Sequence, residues 1–200
     1  MNINEIKLKD YPELKAAHKF VSEINRAVIA GGVARDILLK GKLSEGSDID
    51  IFIGQYGERS QLLLDIFNVC KDLKIKPSIV ESYSQLSGER IRAGNLDIIL
   101  VGYMEDGVAG ILSRFDMVSS QAWLVPIIGG FQVCATDLFF ELKKRKVLGY
   151  YPELSLTPSG HFSRIAERFS DYMPLALSVP RIVNKNLDNN DFDDDDDIPF

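Results

Sequence analysis

The chain has 200 residues, 46% hydrophobic and 26% charged, with a formal net charge of −6, two cysteines and two histidines. That length and apolar content suit one compact domain with a sizeable core. They argue against a disulfide scaffold or a metal centre built from histidine and cysteine. No apolar run approaches bilayer length and the N-terminus lacks a signal-peptide pattern, so a cytoplasmic protein is expected, with Cys70 and Cys134 as reduced core residues. The acidity is local. Residues 186–200 hold seven aspartates and no Lys or Arg; taking those seven from 29 leaves 22 acidic against 23 basic residues in a near-neutral body.

In chain order, residues 11–27 space Leu14, Ala17, Phe20, Val21 and Ile24 as one face of an amphipathic helix, with Pro12 in its first turn. Residues 28–53 read as strand, Gly31-Gly32 turn, short helix, loop and strand. Gly41 suits the end of that helix. On the second strand Asp48 and Asp50 are two residues apart and project to one face, while Ile49, Ile51 and Ile53 face a core. Adjacent carboxylates repel unless a cation sits between them, and Mg²⁺ or Mn²⁺ held with substrate phosphates is the usual solution. The glycines let a phosphate approach the backbone, and the helix N-terminus supplies N–H groups and a favourable dipole.

Gly31-Gly32, Arg35-Asp36 and Asp48-Ile49-Asp50 together resemble the nucleotidyltransferase superfamily of DNA polymerase β type. They are most similar to the head domain of bacterial CCA-adding enzymes and poly(A) polymerases. The resemblance implies a mixed α+β fold, a small mixed sheet flanked by helices. It also implies a nucleoside triphosphate substrate bound by Gly31, Gly32, Arg35 and Asp36, with metal and catalysis at Asp48 and Asp50.

Residues 60–72 read as a helix with Ser60 as N-cap, followed by a β-rich stretch from Pro77. Asp97 heads the apolar strand LDIILVGY. It is either a strand-start turn residue or, by the resemblance, the third carboxylate, completing a metal site or acting as general base. In 113–124 the resemblance assigns Arg114 and Asp116 to the nucleotide, in the form found in phage-encoded members with Phe-Asp here. The alternative is a helix N-terminus capped by Asp116 with Trp123 packing. A strand over 131–135 and a helix from Thr136-Asp137 to Gly149 follow. The run Lys143–Lys146 is either a solvated helix end or a nucleic-acid contact. A last helix over 160–173 puts Arg164 and Arg168 one turn apart; the resemblance has such arginines reach the incoming nucleotide, and the alternative is a packing helix with surface arginines.

The expected organisation is a transferase domain over 1–180, with 160–173 as a neck-like helix, and a flexible acidic tail over 181–200. No room is left for the tRNA-gripping domains of CCA-adding enzymes. The tail ends Asp195-Asp196-Asp197-Ile198-Pro199-Phe200. It resembles the C-terminal tip of bacterial single-stranded DNA-binding protein, which implies docking onto proteins that bind that tip. Three functions follow: a metal-dependent nucleotidyltransferase acting on a nucleic-acid or protein acceptor, a non-catalytic phage interaction protein mimicking the tip, or a toxin-like transferase. No membrane partner is expected.

Overall fold

The fold was analysed in a computed structural model that describes residues 4–44, 46–54, 58–83, 88–101, 107–154 and 160–179. The acidic tail, including Asp195–Phe200, lies outside the described residues. In chain order the elements are β1 (Asn4–Lys7), α1 (Lys15–Glu23), β2 (Ala27–Ala30), α2 (Gly32–Lys40), β3 (Ile49–Gly54), α3 (Arg59–Asp72), β4 (Pro77–Tyr83), β5 (Gly88–Ala93) and β6 (Leu96–Val101). There follow α4 (Gly107–Leu112), β7 (Ala122–Ile127), β8 (Gly130–Ala135), α5 (Asp137–Lys144), β9 (Val147–Tyr150), α6 (Gly160–Arg168) and β10 (Met173–Ala176).

Eight strands form one mixed sheet in the order β1-β8-β7-β2-β3-β6-β5-β4. Within it β3 and β6 run parallel and the other pairs antiparallel. The period-2 pattern of β3 explains its place. Ile49, Ile51 and Ile53 sink into the main core with Leu96, Ile98 and Leu100 of β6 and Ile91 and Ala93 of β5. The apolar faces of α1, α2 and α3 cover that side through Phe20, Leu38 and Ile66. On the opposite face Phe52, Ile99 and Val101 pack with Val28 and Ala30 of β2 and with Ile111 and Leu112 of α4, and the charged residues of β5 and β6 lie beyond this cluster. This is a mixed α+β architecture, a central mixed sheet flanked by helices, as the sequence led one to expect.

Several local expectations need correction. Ser60 is not a cap: α3 starts at Arg59 behind Glu58, and no side chain caps it. The segment 113–124 is not a helix; it passes through a 3₁₀ turn at Val118–Ser120 into β7, with Trp123 against the second cluster. Helix α5 ends at Lys144, five residues before Gly149, because Lys146 adopts φ 52° and Val147 enters a strand. Its start is as expected: Thr136 Oγ1 accepts from the Phe139 N–H at 3.2 Å. Helix α6 stops at Arg168, and 173–176 form a strand parallel to β9.

The basic run is partly committed to the protein itself. Lys143 Nζ donates to the Leu38 carbonyl at 2.6 Å, closing the C-terminal end of α2. Arg145 and Lys146 make exposed ion pairs with Glu141 and Asp171, each worth little. His18 is a core contact: its Nε2 lies 2.9 Å from the Ile127 carbonyl oxygen and its ring meets Phe131 edge-on. Both cysteines are free, Cys70 fully buried and Cys134 half-buried. Among the described residues no helix is long and apolar enough to cross a membrane.

Edge strand β1 is held by a close backbone approach. A Cβ at Gly130 would drive into the Ile6 carbonyl oxygen. Gly130→Ala is therefore expected to loosen β1 and lower unfolding free energy by about 2 kcal/mol. Urea denaturation, with amide exchange at Glu5 and Ile6, measures both effects.

Candidate active site

Strand register assembles a charged row on the sheet face opposite the main core. Asp50 of β3 pairs in register with Asp97 of β6, and Asp97 in turn with Arg92 of β5. In-register neighbours share a face, as do residues two apart on one strand. Asp48 therefore joins Asp50, and Arg90 joins Arg92. Asp97 is almost fully buried and its two oxygens take the Nε and Nη2 groups of Arg90. Arg92 Nη2 lies 3.3 Å from Asp48 Oδ2 and 3.6 Å from Asp97 Oδ2.

Asp50 sits between the other two carboxylates. Burial, then the charge of Asp97, then that of Asp48 push its pKa up to about 7, against the pull of Arg90 and Arg35. The folded site therefore has an unmet demand for positive charge at Asp50.

The glycine turn stands across from this row. Gly31 has φ +85° and ψ −126°, a conformation open to glycine and strained for other residues. A Cβ there would come within 3.9 Å of Asp50 Oδ2 and of the Phe115 ring. The Gly31 N–H is spent on the Ala122 carbonyl at 2.9 Å, locking the turn to β7. No side chain caps α2, and the N–H groups of a helix's first turn have no partner within the helix. A Cβ on Gly32 would sit 3.6 Å from Arg35 Nη2.

Arg35 and Asp36 are buried. Arg35 Nε and Nη2 both lie 2.9 Å from Asp36 Oδ1, and Ser44 Oγ donates to Asp36 Oδ2 at 2.6 Å. Burial lowers the Arg35 pKa and the Asp36 carboxylate opposes it. The Arg35 guanidinium also lies over the Phe169 ring, 5.5 Å from its centroid, with Lys40 Nζ 4.4 Å from the same centroid. Through Phe169 these cations fasten the end of α6 to α2. Ile165 and Phe169 pack with Met117 and Leu148, and the Tyr150 and Phe162 rings meet at 4.2 Å.

With α6 in place, Arg164 and Arg168 face the carboxylates across one open cleft of about 640 Å³. Gly31, Gly32, Arg35, Asp36, Asp48, Asp50, Asp97, Arg114, Asp116, Arg164 and Arg168 all line it. Asp116 is anchored by its main chain, whose carbonyl accepts from the Tyr151 N–H at 2.7 Å. The cleft also contains Phe115 and Ser120 from the 113–124 stretch, and Arg90 and Glu153, which sequence reasoning passed over. For Arg90 and Arg92 a signal existed: the alternation Arg-x-Arg in ERIRA answers Asp-x-Asp on β3. Phe115 forms a wall against Phe52, their ring centroids 5.5 Å apart.

Among the described residues no three His, Cys, Asp or Glu side chains converge as a ready-made metal cluster. The donor chemistry nonetheless suits a hard divalent ion. Asp48 and Asp50 offer neighbouring carboxylates that both line the cleft.

The fold is shared with solved tRNA-processing and CCA-adding enzymes. Among solved structures, the Thermotoga maritima CCA-adding enzyme complexed with tRNA is similar at TM-score 0.55 and 16% identity, over 88% of this chain and 43% of that one. A CCA-adding enzyme in complex with CTP matches at 0.52 and 18%, over 88% and 43%. A tRNA-processing enzyme in an apo form matches at 0.54 and 19%, over 86% and 46%. The chain thus spans less than half the length of these proteins. No family model and no curated protein matches the sequence.

Asp50 makes a pH prediction with a definite sign. The unfolded carboxyl titrates near 3.8 and the folded one near 7. Between these values the native state holds a proton that the unfolded chain has lost, so stability falls as pH rises. Urea unfolding of metal-free protein is expected to give a lower free energy at pH 7 than at pH 4.5, and Asp50→Asn to remove that part of the slope.

Proposed function

We propose that the chain is a nucleotidyltransferase that moves a nucleoside monophosphate from a triphosphate to an acceptor hydroxyl and releases pyrophosphate. The supporting observation is the convergence of Asp48, Asp50 and the Gly31-Gly32 turn on one cleft. The turn and the first N–H groups of α2 receive the phosphates. Arg164 and Arg168 close the cleft from α6, and with Arg114 they supply cationic contacts to phosphate, sugar or base. Asp36 positions Arg35, to which it is tied. Asp48 and Asp50 are the residues that would hold Mg²⁺ or Mn²⁺; when bound, the ion neutralises charge at the transferring phosphate and acidifies the acceptor hydroxyl. Asp97, its oxygens engaged by Arg90, contributes a fixed negative field beside Asp50 and is a poor candidate for taking the acceptor's proton.

The acceptor favoured by the fold is the 3′ hydroxyl of a nucleic acid. Neighbours of the same fold are CCA-adding enzymes, one of them complexed with tRNA. A protein hydroxyl is the toxin-like variant of the same chemistry. The tail Asp195–Phe200 would then bring the enzyme to bacterial proteins that recognise a terminal Phe carboxylate behind a run of aspartates. The sequence of that tail also supports a second reading, a phage protein that occupies such pockets without catalysis.

Two experiments separate these readings. Transfer of label from each α-³²P triphosphate to RNA, DNA and protein is expected for the wild type. Asp48→Ala and Asp50→Ala are each expected to lower it by about a thousandfold, several kcal/mol of lost charge stabilisation. Transfer by the double variant at the wild-type rate would refute the enzyme. Deletion of Phe200 is expected to abolish capture of tip-binding proteins while leaving transfer to a free acceptor unchanged. Capture that survives the deletion would refute the docking role.

A further inference from the structure

Arg92 is absent from the cleft wall, yet it touches the catalytic row from outside. Its Nη2 stands 3.3 Å from Asp48 Oδ2 and 3.6 Å from Asp97 Oδ2, so one nitrogen from β5 bridges a carboxylate of β6 and one just ahead of β3. The neighbouring arginine behaves differently. Arg90 is 25% exposed, meets an Asp97 side chain that is 4% exposed, and grips both of its oxygens. Arg92 and Asp48 are 45% and 54% exposed and share one nitrogen and one oxygen. A bidentate, desolvated pair is costly to open, whereas a single contact half in water is worth little and exchanges readily.

We infer that Arg92 is a displaceable counter-ion for Asp48: it holds that carboxylate toward Asp97 until a divalent cation takes it, and so sets how tightly the cation binds. The inference rests on the transferase reading above, in which Asp48 and Asp50 hold the metal. The reasoning is competition for an oxygen. Asp48 Oδ2 cannot face the guanidinium and a coordinated ion at full strength, and a divalent ion brings twice the charge at closer range. Arg90 cannot play this part, because leaving Asp97 would strand a buried carboxylate. Arg92 can, because water replaces it at half-exposed Asp48 while Arg90 keeps both oxygens of buried Asp97 engaged. It is a positioning residue that tunes the metal site, distinct from the groups that meet nucleotide.

The test uses the full chain and Mn²⁺ alone, with free Mn²⁺ followed by electron paramagnetic resonance. Arg92→Ala is expected to bind Mn²⁺ about three- to fivefold more tightly than wild type, the size of a half-exposed ion pair. Arg92→Lys, which keeps the competing charge, is expected to restore wild-type affinity. In an Asp48→Asn background Arg92→Ala is expected to lose most of this effect, since the closer of its two carboxylate contacts is no longer charged. Thermal melts check that each variant is folded. Equal or weaker Mn²⁺ binding by Arg92→Ala overturns the inference alone. Absence of Mn²⁺ binding by wild type and Arg92→Ala alike, or unchanged binding by Asp48→Asn, overturns the metal-dependent reading together with the inference.

Discussion

Three carboxylates cannot share one face of adjacent strands without positive charge among them, and that constraint runs through the structure. Parallel pairing of β3 with β6 puts Asp50 and Asp97 side by side. Antiparallel pairing of β6 with β5 then delivers Arg92 to the same row and Arg90 two residues further along the same face. The reverse face of these strands, Glu89 at the start of β5 apart, is isoleucine, leucine and alanine sunk in the core. Register cannot slip by one residue to relieve the repulsion, because every buried side chain would turn outward. The core thus enforces an electrostatic conflict that arginines settle at Asp97, in part at Asp48, and not at Asp50.

Much of this was legible in the sequence. The strand–turn–helix–loop–strand run over 28–53 is a matter of period and glycine, and β2, α2 and β3 occupy it as expected. Asp48 and Asp50 on one face follow from strand geometry alone. The shape of the cleft's far side was less legible. Arg164 and Arg168 could be named but not oriented, since their direction depends on Phe169 docking beneath Arg35 and Lys40, a contact between distant segments. The end of α5 was misjudged because VLGY is apolar at spacings compatible with either period. Tertiary pairing with β10 decides it, and Gly149 is needed there because a Cβ would crowd Leu142 Cδ1 at 2.5 Å and Leu177 Cδ1 at 2.8 Å. The roles of Arg90 and Arg92 required knowing that β5 lies beside β6.

Helix α2 unites the two sides of the cleft. Its N-terminus forms the glycine turn beside Asp50, its second turn carries Arg35, and Lys40 near its C-terminal end reaches the same aromatic ring. Lys143 closes its last carbonyls from α5. Nine residues therefore tie the glycine turn of the cleft to the helix that bears Arg164 and Arg168.

The parallel pairing of β10 with β9 has a mechanical side. Met173–Ala176 lie alongside Val147–Tyr150, and the Leu177 N–H still bonds the Tyr150 carbonyl at 2.8 Å. Traction applied to the chain beyond residue 179 runs along β10 and loads its hydrogen bonds side by side instead of peeling them singly. A body tethered through its last residues would resist detachment of this strand as a lap joint resists shear.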